Sequence, residues 1–245
     1  MHLYLSDNLN PAFHLALEET LFSGSEDEYL LFYINQPSVI IGCNQVLQNE
    51  VNADYCRLHN IGIYRRMSGG GTVFHDAGNL NYSFIVNKTS PWAGMGGQFL
   101  HPIIHALHQL GVSAFQGKRK DLWIPGDFKI SGTASHLKGM REMHHGTLLF
   151  NSNLEQLKLA IQSDRKNPAL KGVASVPSPV LNIREFMCEQ GLPAFEMHDF
   201  KRSISEACGK YCEAKQIVNF PNQILHKVSE IANLKYTSEA WNLRK

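Results

Sequence analysis

Charge is scarce in this 245-residue chain. Asp, Glu, Lys and Arg make up 18% of it, and 23 basic residues almost cancel 22 acidic ones, for a formal net charge of +1. A protein held to nucleic acid through phosphate contacts carries a strong basic excess, so that class falls away. Long hydrophobic runs are missing too. The longest, Tyr29 to Ile34, follows the acidic Ser25-Glu26-Asp27-Glu28 and falls far short of the ~20 residues that cross a bilayer, which excludes a membrane span. The amino terminus, Met1 to Asp7, has no basic stretch followed by an apolar core, so no secretory leader is read there. Cysteine is sparse: five residues, an odd number without framework spacing, exclude a disulfide scaffold and suit a reducing compartment. The chain is expected to be soluble and cytoplasmic, and its 43% hydrophobic content is ordinary for one large domain.

The hydrophobic pattern mixes both periods. Asn10-Pro11 opens a helix, with Asn10 able to cap and Pro11 suited to the first turn, and Phe13, Ala16, Leu17 and Leu21 share one face. Leu30 to Ile34, Val39 to Ile41, Ile61 to Arg66 and Leu80 to Val86 read as strands. Phe99 to Leu110 is a second amphipathic helix stopped by Gly111. Residues 112–150 are strand-rich, with turns at Pro125-Gly126-Asp127 and Lys138-Gly139. Leu154 to Ile161 returns to helix, the polar stretch Ser163 to Asn167 follows, and helices are predicted over His198 to Lys215 and Pro221 to Ala232. Strands and helices in no strict alternation predict an α+β fold.

Three segments carry chemistry. The first runs from Arg65-Arg66-Met67-Ser68-Gly69-Gly70-Gly71-Thr72 through Val73-Phe74-His75-Asp76 to Gly78-Asn79. Three consecutive glycines between strands imply a close approach that a Cβ would block, and such a loop can turn several N–H groups onto an anion or carbonyl. The two arginines add forked donors suited to phosphate or carboxylate. The second is Asp121-Leu122 with Lys129-Ile130-Ser131-Gly132-Thr133-Ala134. Alternation puts Lys129 opposite Phe128 and Ile130, either as an exposed strand lysine or as a cation for charge developing at a phosphate or acyl carbonyl. The third is His144-His145-Gly146-Thr147-Leu148-Leu149. Adjacent histidines on a strand face opposite ways, so they cannot share one metal in regular geometry.

Together these segments resemble the catalytic domain of the lipoate–protein ligase A family, the lipoyltransferases that modify lysines of 2-oxoacid dehydrogenase subunits and of glycine-cleavage H protein. The pattern Arg-Arg-x-Ser-Gly-Gly-Gly-[Thr/Ala]-Val-[Phe/Tyr]-His-Asp-x-Gly-Asn is matched from Arg65 to Asn79, Lys-[Ile/Val]-Ser-Gly-x-Ala from Lys129 to Ala134, and His-His-Gly-Thr-Leu-Leu from His144 to Leu149. The resemblance implies a largely antiparallel mixed sheet flanked by helices, of the biotin/lipoate ligase type. It implies a two-step reaction, in which lipoate and ATP give lipoyl-adenylate and the acyl group passes to a lysine of a carrier domain. Lys129 would be the catalytic cation. Arg65, Arg66, Ser68, Gly69, Gly70, Gly71, Phe74, His75, Asp76, Asn79, Gly132, Ala134 and His145 would enclose lipoyl and adenylate groups. Asp121 would help hold phosphate and Mg²⁺, or receive the acceptor lysine.

The chain also departs from the pattern. Relatives commonly add a small carboxyl-terminal domain, which is expected to be absent here, leaving residues 1–245 as a single catalytic domain. A separate partner chain would then supply the missing part, or the protein would use preformed lipoyl-adenylate, as mitochondrial lipoyltransferases can. Lys120 precedes Asp121 where many ligases have Asn, Ser175-Val176-Pro177-Ser178-Pro179 has prolines where many have arginines, and Cys43 replaces a common basic residue. A thioester transferase would need an activated thiol near Lys129, and no cysteine lies between Cys56 and Cys188. Cys208 and Cys212, one helical turn apart, read as core. Biotin ligase lacks its Gly-Arg-Gly-Arg type loop here, and a hydrolase built on Ser68, His75 and Asp76 has no nucleophile elbow. A non-catalytic lipoyl-binding protein is the remaining alternative.

Overall fold

The computed structural model describes residues 1–163 and 166–244; Asp164 and Arg165, in the polar stretch Ser163 to Asn167, and Lys245 lie outside the described residues. The chain runs β1 (His2–Leu5), α1 (Pro11–Gly24), β2 (Tyr29–Tyr33), β3 (Ser38–Ile41), α2 (Leu47–Glu50), α3 (Ala53–Leu58), β4 (Gly62–Arg65), β5 (Val73–His75) and β6 (Asn79–Asn87). It continues through α4 (Leu100–Gln109), β7 (Phe115–Gln116), β8 (Leu122–Ile124), β9 (Phe128–Ser131), β10 (Thr133–Lys138), β11 (Arg141–Leu149) and α5 (Leu154–Ile161). The last part holds α6 (Ile183–Glu189), α7 (Met197–Tyr211), β12 (Lys215–Ile217), α8 (Asn222–Ile231), a π-helical turn at Ala232–Tyr236 and α9 (Glu239–Asn242).

The main sheet has the order β10-β11-β6-β2-β1-β12, antiparallel from β10 to β2 and parallel across β1 to its neighbours. Side chains alternate across each strand, so β2 divides its apolar residues between two cores. Leu30 and Phe32 join Tyr82, Phe84 and the buried faces of α4 and α7. Tyr29, Leu31 and Tyr33 join Ile85, Met143 and residues of α1 and α8. With both faces covered, every residue of β2 is buried, and its sequence is continuously apolar rather than alternating. A small sheet, β4-β3-β5, carries the triglycine loop between β4 and β5 and packs against α3 and α5 through Val39, Ile41, Cys56, Phe74 and Ala160. A third, β7-β8-β9, carries Lys129.

The expected α+β class is observed. The side chain of Asn10 accepts the amide of Ala12 at 2.9 Å and Pro11 fills the first turn of α1. Gly111, with φ +82, ends the second predicted helix. Other expectations need correction. The helix predicted over His198 to Lys215 stops at Tyr211, Glu213 takes φ +50, and Lys215–Ile217 leaves as an edge strand parallel to β1. Strand β1 itself, too short for a period-2 signal, was not legible, and Val73–His75 forms a strand where a continuous loop was expected.

Candidate active site

The triglycine loop is held from behind by Arg66. That guanidinium is buried and donates four ways: from Nε to Ser68 Oγ (2.9 Å), and from its terminal nitrogens to the carbonyls of Ile40 (3.1 Å), Gly69 (2.5 Å) and Gly71 (2.7 Å). Burial pulls its pKa down to about 10, so it stays charged at neutral pH. Because the Gly69 carbonyl faces Arg66, the next amide, that of Gly70, points the other way. Neither the Gly70 nor the Gly71 amide has an acceptor among the described residues. Gly70 adopts φ +84, and a Cβ on Gly42 would strike the Gly70 carbonyl oxygen, so the sequence needs glycine at both places. The result is a pair of free N–H groups with a fixed positive charge behind them, which suits an anion.

Gly70 and Gly71 line a cavity of about 350 Å³ together with Lys129, Asp121 and Arg119. Lys129 is fixed by its backbone. It pairs with Trp123 of β8 on one side, and on the other its amide donates to Pro179 and its carbonyl accepts from Leu181. Its Nζ lies 3.3 Å from Asp121 Oδ2, and Arg119 lies 3.8 Å from the same oxygen. Burial lowers the pKa of the Lys129 ammonium, and the Asp121 carboxylate partly restores it. Asp121 is itself held below its usual value: burial works to raise it, and the hydrogen bond from the Trp123 side chain and the Lys129 charge prevail. Lys120, at φ +60, makes the turn that aims Asp121 inward. Oδ2 is buried and accepts no aligned hydrogen bond, so its contact with Lys129 is an ion pair with a lone pair left over.

The inner wall comes from α1, β2, β3, β5, β6 and β11. Leu15, Ile40 and Val73 make it apolar. Its polar groups are mostly tied to one another. His145 Nε2 lies 2.6 Å from Ser68 Oγ and its Nδ1 lies 3.0 Å from Glu18 Oε2, while Tyr33 donates its hydroxyl to Glu18 at 3.0 Å. Burial works to raise the Glu18 carboxyl, but the neighbouring His145 and the hydrogen bonds from His145 and Tyr33 leave it lowered. Ser68, His145 and Glu18 thus form a chain that reaches Arg66 and, through it, the loop. Ser68 is sealed at 0% exposure and off the cavity wall, so the chain braces the loop and offers no nucleophile. His75 Nδ1 takes a hydrogen from Asn35 Nδ2 at 2.9 Å.

Of the residues expected at the site, Lys129, Arg66, Gly70, Gly71, His75, Asp121, Gly132, Ala134 and His145 line this one cavity. Others stand elsewhere. Arg65 is a correction: its guanidinium points away, donating to the carbonyls of Gly42, Cys43, Gln45 and Arg244, while its own backbone is held by Trp241 and Asn242. Asp76 accepts the amides of Gly78 and Asn153, Phe74 lies in the core beneath the small sheet, Asn79 donates to Asn81, and Gly69 offers only its carbonyl, to Arg66. These four shape the loop's supports and not the cavity wall. His144, as alternation required, faces the opposite side of β11, stacked on Phe99 with its ring nitrogens at Ser135 and Glu142.

Sequence reasoning missed Glu18, Arg119 and Ser175. Glu18 carried a signal, a carboxylate one turn from His14 and Leu15 on the buried face of α1. Ser175 Oγ accepts the Thr72 amide at 2.9 Å and the Gln45 side chain at 3.1 Å, drawing the segment from Val173 to Val176 across the cavity. No cysteine lines the cavity among the described residues, and burial pushes the Cys56 and Cys212 thiols up to about 11 and about 12. Among the described residues no three His, Cys, Asp or Glu side chains gather into a metal cage. Asp121 offers one carboxylate with an unused lone pair, which fits an ion bound mainly by a substrate's phosphates.

A braced glycine loop and one strand lysine share this cavity, a lining suited to an acyl or phosphoryl group. The chain belongs to the family described as the lipoyl protein ligase A/B catalytic domain, whose model matches residues 10–209. It is 37% identical to lipoate–protein ligase 1 of Staphylococcus aureus over 98% of this chain and 72% of that protein, and 42% identical to lipoate–protein ligase LplJ of Bacillus subtilis over 74% of this chain and 56% of that protein. The fold matches a lipoate–protein ligase A bound with ATP (TM-score 0.82, 23% identity, 99% of this chain and 98% of that one). It also matches a bipartite lipoate–protein ligase of Thermoplasma acidophilum, solved in a study of that ligase and its E2 lipoyl domain (TM-score 0.82, 24% identity, 99% of this chain and 95% of that one).

Proposed function

We propose that this protein activates lipoate with ATP and transfers the lipoyl group to a lysine of a carrier domain. The observation that carries the reading is one cavity lined by Lys129, paired with Asp121, and by Gly70 and Gly71, whose amides have no acceptor among the described residues. In the first step a lipoate carboxylate oxygen attacks the α-phosphorus of ATP and pyrophosphate leaves. In the second, the carrier lysine's amine attacks the acyl carbon, the bond to phosphate oxygen breaks, AMP leaves and the amine gives up a proton. Both transition states gather negative charge on oxygen, and preorganised N–H donors and an ammonium in a partly dry site stabilise such charge more than water does. Lys129 is the catalytic residue, and Arg66 acts through the loop it holds. Asp121 is the residue that would hold a Mg²⁺ ion brought in with the triphosphate, and such an ion would supply charge neutralisation for the leaving pyrophosphate.

The relatives support the substrate pair: they are named lipoate–protein ligases, and one structural neighbour was solved with ATP. The Thermoplasma study of a ligase and its E2 lipoyl domain supports a lipoyl domain as acceptor, and E2 subunits of 2-oxoacid dehydrogenases and H protein are the carriers we propose. Among the described residues no helix is long and apolar enough to cross a membrane, in keeping with a cytoplasmic site of action. The test mixes purified protein with an apo lipoyl domain and either lipoate plus ATP or synthetic lipoyl-adenylate. Product from both donors is expected. Product from the adenylate alone restricts the protein to the second step and assigns activation to a separate chain, and product from neither refutes the proposal.

A further inference from the structure

One histidine lining the cavity, His75, has a tautomer that follows from the partners of the chain behind it. His14 Nε2 lies 2.9 Å from Ser6 Oγ, His14 Nδ1 lies 2.6 Å from Asn35 Oδ1, and Asn35 Nδ2 lies 2.9 Å from His75 Nδ1. Burial lowers the pKa of His14 to about 4 and of His75 to about 3, so each imidazole is neutral, with one donor and one acceptor. The chain can then run only one way without loss. Ser6 Oγ accepts the Asn8 amide, and its own proton has no acceptor among the described residues other than His14 Nε2, so that proton goes to His14 Nε2, the His14 Nδ1–H goes to Asn35, and the Asn35 amide goes to His75 Nδ1. Reversing the Asn35 amide would leave the buried Ser6 hydroxyl proton with no acceptor among the described residues. The remaining proton of His75 therefore sits on Nε2, which has no partner among the described residues and belongs to a side chain lining the cavity.

The other nitrogen- and carboxylate-bearing groups near that wall have partners among the described residues, and the Thr147 hydroxyl accepts the Gly132 amide. Tyr33 is bonded to Glu18, His145 to Glu18 and Ser68, and Asn81 to Asn79 and the Tyr33 carbonyl. We propose that His75 is a specificity-determining residue, its Nε2–H selecting an acyl chain that brings an electron-rich atom to the inner wall. The dithiolane sulfur of lipoate meets that demand, and the plain hydrocarbon of octanoate leaves the donor buried without a partner. An unpaired donor is penalised while a matched one is roughly neutral, so the wall discriminates against octanoate more than it favours lipoate.

The inference rests on the ligase reading, and its test separates the two. In the transfer assay, kcat/KM is measured for lipoate and for octanoate with the unaltered protein and with His75→Leu. The lipoate-to-octanoate ratio is expected to fall about 3- to 10-fold in the variant, the range of a single neutral hydrogen bond. Because His75→Leu can fail to fold, ¹⁵N-histidine NMR of the unaltered protein provides a second measurement. His75 Nε2 is expected to be the protonated nitrogen, with a resonance that moves on adding lipoate and stays in place with octanoate. An unchanged ratio, a bare Nε2, or equal shifts with both acids overturns the inference while leaving the ligase reading intact. Failure of the unaltered protein to use either acid overturns the ligase reading itself.

Discussion

Replacing Arg66 by lysine keeps the charge and removes the fork, and the structure sets what that costs. Arg66 serves four acceptors spread around it: one hydroxyl and three carbonyls, two of them within the triglycine loop. A lysine ends in one shorter-reaching ammonium, which can satisfy one or two of these acceptors. At least two are left buried and unpaired, each at about 1–3 kcal/mol, so Arg66→Lys is expected to lose roughly 3–5 kcal/mol of stability. For a chain of this size that lowers Tm by about 6–20 °C. The catalytic loss should be larger than the stability loss implies, because carbonyls freed from Arg66 let the Gly70 and Gly71 amides turn away, and a displacement near 1 Å can cost on the order of a hundredfold in rate. Differential scanning calorimetry with steady-state kinetics at 20 °C, well below the variant's melting range, separates the two. A Tm within 2 °C of the unaltered protein (about 1 kcal/mol) together with unchanged kcat/KM would show that Arg66 does not hold the loop.

Three further outcomes follow from the same geometry. His14 and His75 are depressed from 6.5 to about 4 and about 3, so the unfolded chain binds protons that the folded chain refuses. Their neutral forms cost nothing above pH 6.5, and stability falls as pH drops below it, by about 4 kcal/mol between pH 7 and pH 5 at 1.4 kcal/mol per unit per group; urea melts that do not change over that range contradict the buried pair. Since Asp121 props up the lowered Lys129 ammonium, Asp121→Asn should move the alkaline fall of kcat/KM to lower pH, and Lys129→Arg should move it upward in whatever activity remains; pH–rate profiles decide. Gly42→Ala drives a Cβ into the Gly70 carbonyl and should reduce activity more than stability, measured by kcat/KM beside Tm.

Local chemistry was legible in the sequence wherever one short segment carries it. Asn10-Pro11 announced a helix start, the Gly70 and Lys129 segments announced a loop and a strand, and the alternation at His144 and His145 placed them on opposite faces, as found. The sequence could not say that Arg65 and Arg66, adjacent and alike, have different partners, because that depends on which carbonyls of β3 and of the carboxyl-terminal segment lie beneath each one. The inner wall was equally hidden. Leu15, Tyr33, Ile40 and Val73 come from four elements and meet only when the two sheets pack, and the chain from Ser6 to His75 joins residues 69 positions apart. Strand β12 escaped because three residues after a long helix carry no period of their own.

Lys129 and the triglycine amides are expected to grip the same acyl–phosphate junction. A crystal structure with a non-hydrolysable acyl-sulfamoyl adenosine measures this directly. Oxygens of the acyl-sulfamoyl junction are expected within about 3.2 Å of both Lys129 Nζ and the Gly70 or Gly71 amide. An inhibitor seated with that junction away from the loop, and Lys129 still engaged by Asp121 alone, would contradict it.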